Sequence, residues 1–259
     1  MKKFSSFLIV LLLMLASFTA GVEYQRGDVD QDGQVNISDV TCLIDYLLTG
    51  TWPEDPVTPP DTHEYVDLGL PSGTLWATCN VGANAPEEFG DYFAWGETEP
   101  KEEYTWENYQ WCNGTSNTLT KYCFKSSCGY NGFVDDKWEL DPEDDAAYVN
   151  WGTSWRMPSV EQLNELIDNC SWTWTTLNDV YGRLFTGPNG NTLFLPAAGH
   201  LGVNMLRSAN SDGLYWTRSL GSGEAYYALA LSFYSGGKQW WNIRRNCGLS
   251  VRPVRVSQD

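Results

Sequence analysis

Residues 150–170 read Asn-Trp-Gly-Thr-Ser-Trp-Arg-Met-Pro-Ser-Val-Glu-Gln-Leu-Asn-Glu-Leu-Ile-Asp-Asn-Cys and contain the clearest helix signal of the chain. Pro158 disfavours helix at the residue before it, so Ser159 is the natural N-cap. Gln162, three residues further on, completes a capping box. Apolar side chains then recur at helical spacing at Val160, Leu163, Leu166 and Ile167. Because the neighbouring apolar runs alternate like strands, we expect those strands to pack on this helix.

The strand signals cluster on both sides of the helix. Residues 225–234 alternate with period two, residues 235–238 are typical of a hairpin turn, and residues 239–245 return along the first strand. Shorter runs at 64–68, 75–81, 192–197, 214–220 and 249–255 show the same tendency. One or two helices on an antiparallel sheet define an α+β domain, which is the predicted fold class.

The composition excludes some partners. The chain has 259 residues and a formal net charge of -17, so neither a nucleic-acid backbone nor an anionic membrane surface suits it. Aromatic residues make up 14% of the chain and 13 of them are Trp. Large aromatic side chains fill the cores of short-stranded domains, and they also bind sugars and proteins at surfaces.

The amino terminus predicts export. Lys2 and Lys3 precede an unbroken apolar run over residues 7–16, which is too short to span a bilayer. We therefore predict a signal peptide over residues 1–20 and a secreted, periplasmic or cell-surface protein with no membrane span. The seven cysteines can oxidise after export, and their odd number leaves at least one unpaired.

An acidic loop after the leader predicts a metal site. Oxygen-bearing residues occupy positions one, three, five, seven, nine and twelve of an EF-hand-type loop: Asp28, Asp30, Asp32, Gln34 through its backbone carbonyl, Asn36 and Asp39. Gly33 stands at position six, where the chain must turn sharply. Hard oxygen ligands at this spacing favour Ca²⁺ as the bound ion.

A helix follows the loop, with one apolar face made by Val40, Leu43, Ile44, Leu47 and Leu48. Residues 21–50 as a whole resemble one dockerin repeat, in which Asp is usual at position twelve. The resemblance implies a cohesin as partner. A single short helix cannot bury its own apolar face, so we expect it to pack on the large domain, on a second copy of the chain or on a cohesin-like partner.

A proline-rich linker follows over residues 51–63, and a second domain spans residues 64–256. Its opening, Tyr-Val-Asp-Leu-Gly-Leu-Pro-Ser-Gly-Thr-Leu-Trp-Ala-Thr-Cys-Asn-Val-Gly-Ala at 65–83, resembles that of the Fibrobacter succinogenes major paralogous domain. Residues 90–98, 155–158 and 248–254 resemble the same family. That family occurs in exported bacterial proteins and has no established biochemical role.

The Arg156-Met-Pro-Ser helix start and the terminal Gly-Leu-Ser-Val-Arg also resemble the scaffold of the formylglycine-generating enzyme. This resemblance implies a C-type-lectin-like fold. The enzyme binds copper through two nearby late cysteines, whereas only Cys247 lies in that region here, so the oxidase activity is not expected.

No nucleophile and base pair stands out, and we predict no catalytic residues. His200 has no identifiable partner in the sequence, and the carboxylates show no spacing typical of a glycosidase. The acidic run at 135–145 lacks calcium-loop spacing and is interpreted as a solvated turn. The predicted ligand-binding set lies in the late hairpin: Trp240, Trp241, Asn242, Arg244, Arg245 and Asn246.

These patterns predict a secreted calcium-binding recognition protein whose lectin-like domain binds carbohydrate or protein. Two alternatives remain open. One is a dockerin-bearing component of a polysaccharide-degrading system with glycoside hydrolase activity, and the other is a scaffold with no small ligand.

Overall fold

The computed structural model describes residues 63–255 and five upstream positions, namely Val40, Leu43, Ile44, Leu47 and Leu48. The chain divides into two compact units, Met1–Pro60 and Asp61–Asp259. The five upstream positions are helical, in agreement with the predicted helix, and all except Leu43 are exposed. The predicted leader and the predicted calcium ligands between 28 and 39 lie outside the described residues.

Twelve strands and two α-helices follow one another within residues 63–255. The strands are β1 (Tyr65–Asp67), β2 (Leu75–Ala77), β3 (Trp155–Arg156), β4 (Ser171–Leu177), β5 (Val180–Thr186), β6 (Thr192–Pro196), β7 (His200–Gly202), β8 (Met205–Arg207), β9 (Asp212–Leu220), β10 (Tyr227–Tyr234), β11 (Gly237–Arg244) and β12 (Val254–Arg255). The helices are α1 (Ala146–Trp151) and α2 (Val160–Asn169). Short 3₁₀ turns lie at Tyr130–Gly132 and Pro142–Asp144.

The strands form four small sheets, and every paired strand is antiparallel to its neighbour. Their orders are β1-β2-β12-β3, β11-β10-β9, β4-β5-β6 and β7-β8. Hairpin connections join β4 to β5 and β10 to β11, so these pairs are adjacent both in sequence and in space. β4 is an edge strand of the β4-β5-β6 sheet, and β11 is an edge strand of the β11-β10-β9 sheet.

The predicted capping box at the start of α2 is confirmed. The Ser159 hydroxyl accepts from the backbone N–H of Gln162 at 3.2 Å, and the Gln162 Oε1 accepts from the backbone N–H of Ser159 at 2.9 Å. The inward face of the helix buries Leu163, Leu166 and Ile167. The local pattern was sufficient because capping depends only on residues within one turn.

The predicted α+β, C-type-lectin-like fold class is wrong, because the described domain is mostly β-sheet. The prediction made α2 the element on which the strands pack. In the structure α2 contributes to one of three apolar clusters, the one that also contains Tyr215 and Leu231. The other two clusters contain no residue of α2, and one of them includes Ala146 and Ala147 of α1. Sheets therefore pack against each other and against loops, and the helix covers only one part of the core.

Strands β9 and β10 are buried on both faces. Trp216 and Ala230 pack in one apolar cluster, while Tyr215 and Leu231, which alternate with them, pack in another. A strand that is buried on both sides carries a nearly continuous run of apolar residues, and in β10 only Ser232 interrupts the run. This arrangement leaves β11 as the outer, largely exposed strand of the sheet.

The interpretation of residues 135–145 as a solvated turn is wrong for Asp144 and Asp145, which are both buried. Asp145 caps α1 by accepting from the N–H groups of Ala147 and Tyr148, and it also accepts from the N–H of Met157 at 2.9 Å. Burial raises the pKa of the Asp145 carboxyl, although the N–H groups of Met157 and Tyr148 oppose that rise. These carboxylates hold the α1 region together.

Asp141 and Asp144 bind one lysine. The ammonium of Lys121 lies 2.8 Å from Asp141 Oδ2 and 2.6 Å from Asp144 Oδ2. Tyr122 also donates its hydroxyl proton to Asp144. Within the described residues, this part of the acidic run therefore has cationic and hydrogen-bonding partners from the chain itself, which sequence spacing did not show.

Candidate binding surface

β11 carries most of the predicted ligand-binding residues. Its ladder with β10 pairs Leu231 with Trp240 and Ala230 with Trp241. Because successive side chains in a strand point to opposite faces, the two tryptophans lie on opposite faces of the sheet. Trp240 packs partly buried against the cluster that contains Leu231, whereas Trp241 is 43% exposed.

Asn242 and Arg244 share the face of Trp240, and both are exposed. Asn242 Oδ1 accepts from the backbone N–H of Ser222 at 3.1 Å, so the amide holds the preceding loop. The guanidinium of Arg244 has no hydrogen bond or ion pair to any residue in the described part of the chain. The exposed members of the predicted set are thus divided between two faces.

Arg245 lies in the interior and is fully buried. Its Nε donates to the hydroxyl of Tyr109 at 2.8 Å. Its terminal nitrogens donate to the carbonyl oxygens of Lys121, Tyr122 and Ala225 at 3.0, 2.9 and 3.0 Å. Four hydrogen bonds satisfy the buried guanidinium without a carboxylate, and they tie the end of β11 to a loop more than 100 residues earlier in the chain.

Asn246 is also buried, and its Nδ2 donates to the carbonyl of Tyr104 at 3.0 Å. Its Oδ1 has no hydrogen-bond partner in the described structure. The structure therefore places Arg245 and Asn246 behind the surface, where they position the chain after β11.

A surface outside the predicted set forms around Arg183 of β5. The guanidinium carbon lies 3.5 Å from the ring centroid of Trp172. One terminal nitrogen donates to the carbonyl of Tyr234 at 3.0 Å and also to the carbonyl of Gly237. Arg183 therefore connects the β4-β5 hairpin to the turn between β10 and β11. Burial lowers the pKa of Arg183 to about 10.

Three aromatic residues line this region, and we name Trp172, Trp174 and Tyr181 the aromatic surface. Trp174 and Tyr181 stack with centroids 6.0 Å apart and an interplanar angle of 15°. Trp172 and Tyr181 are 37% and 46% exposed. The stack and the arginine behind Trp172 hold the rings in place, and exposed flat rings of this kind can pack against the apolar face of a sugar.

The β4-β5 hairpin that builds this surface had a sequence signal. Asn178 and Asp179 form its two-residue loop between Leu177 and Val180, with φ of 47° and 65°. Asn and Asp tolerate the left-handed region better than other residues with a Cβ, and two-residue hairpin loops favour positive φ at both positions. The alternating Ser-Trp-Thr-Trp-Thr-Thr-Leu run before this dipeptide completes a hairpin pattern.

Charge is distributed unevenly along the chain. Residues 180–258 carry eight Lys and Arg side chains and two carboxylates, Asp212 and Glu224, a formal balance of +6 (eight minus two) in a chain of net charge -17. Exposed cations in this region include Arg207, Lys238 and Arg244. Strands β4, β5, β6, β10 and β11 contain no Asp or Glu. These five strands thus contribute no carboxylate, although Asp212 of β9 lies in the same sheet as β10 and β11.

His200 lies on β7 opposite Arg207 and is half-buried. Burial and the neighbouring Arg207 lower its pKa, while Asp212 opposes the shift. A groove of about 220 Å³ lies elsewhere, lined in part by Glu97, Glu99 and Lys101. Glu97 there binds Lys101 at 2.6 Å. The structure does not bring His200 to this carboxylate-lined groove.

Within residues 63–255 and the five helical positions upstream, no three His, Cys, Asp or Glu side chains cluster in a way that could hold a metal ion. The predicted calcium ligands 28–39 are not among these residues. The same described portion contains no helix long and apolar enough to cross a membrane.

Comparison with known proteins identifies one part of the chain. No curated protein and no solved structure matches the chain. The resemblances of residues 64–256 to the Fibrobacter succinogenes major paralogous domain and to a lectin-like scaffold find no support in these comparisons. Residues 26–68 match the dockerin type I domain family, and a dockerin type I domain therefore lies in this segment.

Proposed function

We propose that the chain is an exported component of a multi-protein assembly, attached through its dockerin segment to a cohesin-type partner. The match of residues 26–68 carries this proposal. Dockerin type I domains bind calcium through EF-hand-like loops, and Asp28, Asp30 and Asp32 begin such a loop here. Gln34, Asn36 and Asp39 complete the proposed ligand set. Dockerin proteins are typically extracellular or at the cell surface, which supports the proposed export.

The helix after the loop supports a docking role. Val40, Ile44, Leu47 and Leu48 are exposed, with Leu48 79% exposed. Large apolar side chains grouped on one helix face are unfavourable in water. A partner that covers them stabilises the complex by about 25 cal/mol per Å² of apolar surface buried. The proposed partner is therefore a protein with a complementary apolar surface, and calcium orders the loop from which this helix starts.

The second unit, in this proposal, binds carbohydrate. The observation that carries it is the aromatic surface, in which Trp172 stands on a buried guanidinium and Tyr181 stacks on Trp174. Rings fixed in this way lose little conformational entropy on binding. From the predicted hairpin set, Trp240, Trp241, Asn242 and Arg244 remain candidates for ligand contact, and Arg245 and Asn246 are proposed to act by positioning them from the interior.

Binding to insoluble and arrayed polysaccharides tests this role. Trp172→Ala and Tyr181→Ala are expected to weaken binding of the full chain roughly tenfold or more, because aromatic residues dominate such contacts. Trp138→Ala is a matched control, since Trp138 is 49% exposed but lies outside the surface, stacked on Phe124. Equal binding by all three variants would show that the aromatic surface is not the carbohydrate-binding site. Loss on changing Trp241 alone would move the site to β11.

The dockerin match also favours a second candidate, a glycoside hydrolase component of a polysaccharide-degrading system. Release of reducing sugar from a polysaccharide panel by the full chain would support that candidate. Binding of a protein ligand without binding of any glycan would instead indicate a recognition or scaffold role for the second unit.

A further inference from the structure

The outer edge of β11 presents unpaired backbone groups. The closing pair of the β10-β11 hairpin, Tyr234 with Gly237, exchanges hydrogen bonds because only two residues separate its members. Hydrogen-bonded and non-hydrogen-bonded pairs then alternate along the ladder. Four residues of β11 consequently direct their N–H and C=O groups away from β10: Lys238, Trp240, Asn242 and Arg244.

These outward groups are accessible. β11 pairs with β10 alone within the sheet, and its residues are exposed or half-buried throughout. The carbonyl of Arg244 accepts from the N–H of Cys247 at 3.0 Å. Among the described residues, the other outward N–H and C=O groups of β11 have no hydrogen-bond partner. An eight-residue strand with such an edge can accept a further strand.

The charges at this edge select what can be added. Lys238 and Arg244 lie near opposite ends of β11, on one face, and neither forms an ion pair in the described structure. They are six positions apart, which is about 20 Å along a strand. Opposite charges in directly paired positions stabilise a strand pair, and like charges destabilise it. A strand with carboxylates six residues apart is therefore complementary.

A second copy of the chain is a poor occupant. Antiparallel pairing of β11 with itself uses all four outward residues only when the two strands are centred on Trp241. That register places Lys238 of one copy opposite Arg244 of the other and pairs like charges twice. A lysine near a sheet edge also discourages indiscriminate pairing between copies.

We propose that β11 binds an extended acidic peptide segment of another protein by strand addition. The peptide runs antiparallel to β11, its backbone bonds the outward groups, and its two carboxylates face Lys238 and Arg244. This inference goes beyond the proposed carbohydrate role, since it uses the backbone edge of β11 and requires no contact with the aromatic surface.

The test uses the full chain and three synthetic peptides. Glu-Thr-Val-Thr-Val-Thr-Glu is expected to bind, and Lys-Thr-Val-Thr-Val-Thr-Lys to bind at least about tenfold more weakly because both end pairs become repulsive. Glu-Thr-Pro-Thr-Pro-Thr-Glu retains the charge but lacks the two N–H groups that strand addition needs, and it is also expected to bind about tenfold more weakly. Lys238→Glu combined with Arg244→Glu should reverse the preference between the acidic and basic peptides.

Amide hydrogen exchange followed by NMR gives the direct signature. In the free chain the amides of Gln239, Trp241 and Ile243 face β10 and should exchange slowly. The outward amides of Lys238, Trp240 and Asn242 should exchange quickly and become at least about tenfold slower when the acidic peptide binds. Failure of the acidic peptide to bind, or binding without this alternating protection, would overturn the proposal. If a polyanionic polysaccharide displaces the acidic peptide and the outward amides of β11 are not protected, the peptide binds by charge alone and the proposal is likewise rejected.

Discussion

Adjacent arginines at the end of β11 should respond to mutation in opposite ways. Arg245 is buried and donates four hydrogen bonds, whereas Arg244 is exposed and unpaired among the described residues. Replacing Arg245 by Met keeps an unbranched apolar stem and removes all four hydrogen bonds. We expect Arg245→Met to lower the free energy of unfolding substantially and Arg244→Met to leave it nearly unchanged.

The magnitude follows from the partners that are left behind. The carbonyls of Lys121, Tyr122 and Ala225 lose a buried donor in Arg245→Met. An unsatisfied buried polar group costs about 1–3 kcal/mol, and partial entry of water reduces the sum. The Tyr109 hydroxyl still donates to the carbonyl of Trp95 at 2.6 Å, so it adds little. We expect a total loss of about 3–5 kcal/mol, against about 0.5 kcal/mol or less for Arg244→Met.

Thermal unfolding of the full chain measures this difference. A domain of this size loses about 2–4 °C in Tm per kcal/mol, so Arg245→Met should melt about 10 °C lower and Arg244→Met within about 2 °C of the parent. If Arg245→Met does not accumulate as folded protein, Arg245→Lys, which retains charge and part of the hydrogen bonding, should show an intermediate decrease. Equal effects at the two positions, or a loss below about 1 kcal/mol at Arg245, would refute the assignment of Arg245 to the interior.

Three further predictions concern individual elements. Burial raises the pKa of Tyr215 from 10 to about 12, so the stabilisation from its protonated hydroxyl is complete below pH 10 and is lost as the pH rises towards 12. The free energy of unfolding should fall by about 3 kcal/mol over this range. Tyr215→Phe should lack this fall, as denaturant titrations at stepped pH would show. Asp179→Val should lower the free energy of unfolding by about 1–2 kcal/mol while Asp179→Gly is tolerated, because φ at this position is 65°; equal denaturation midpoints would contradict the turn. Ser159→Ala should cost about 1 kcal/mol by removing the N-cap of α2, and unchanged urea unfolding would contradict the capping box.

Local signals were enough for some elements. The capping box of α2 and the β10-β11 hairpin depend on residues within a few positions of each other, and both were predicted from the sequence. The β4-β5 hairpin carries an equally local signal at Asn178 and Asp179, but its alternating strand was not recognised. The aromatic surface was missed together with that hairpin.

Non-local packing could not be predicted from a single strand. Arg244 and Arg245 look alike in the sequence, and the burial of Arg245 depends on carbonyls of Lys121 and Tyr122, more than 100 residues away. The fold class failed for a similar reason, since the periodicity of α2 shows that a helix forms but not how much of the core it covers. Two of the three apolar clusters are assembled without it.

Calorimetric titration of the full chain with a type I cohesin domain tests the proposed attachment role most directly. We expect saturable binding in calcium, loss of binding when the ion is chelated, and at least about tenfold weakening by Asp28→Ala combined with Asp32→Ala, since both are proposed loop ligands. Absence of binding in calcium, or binding that is equally strong after chelation, would contradict the proposal that residues 26–68 attach this chain to an assembly through a calcium-ordered dockerin.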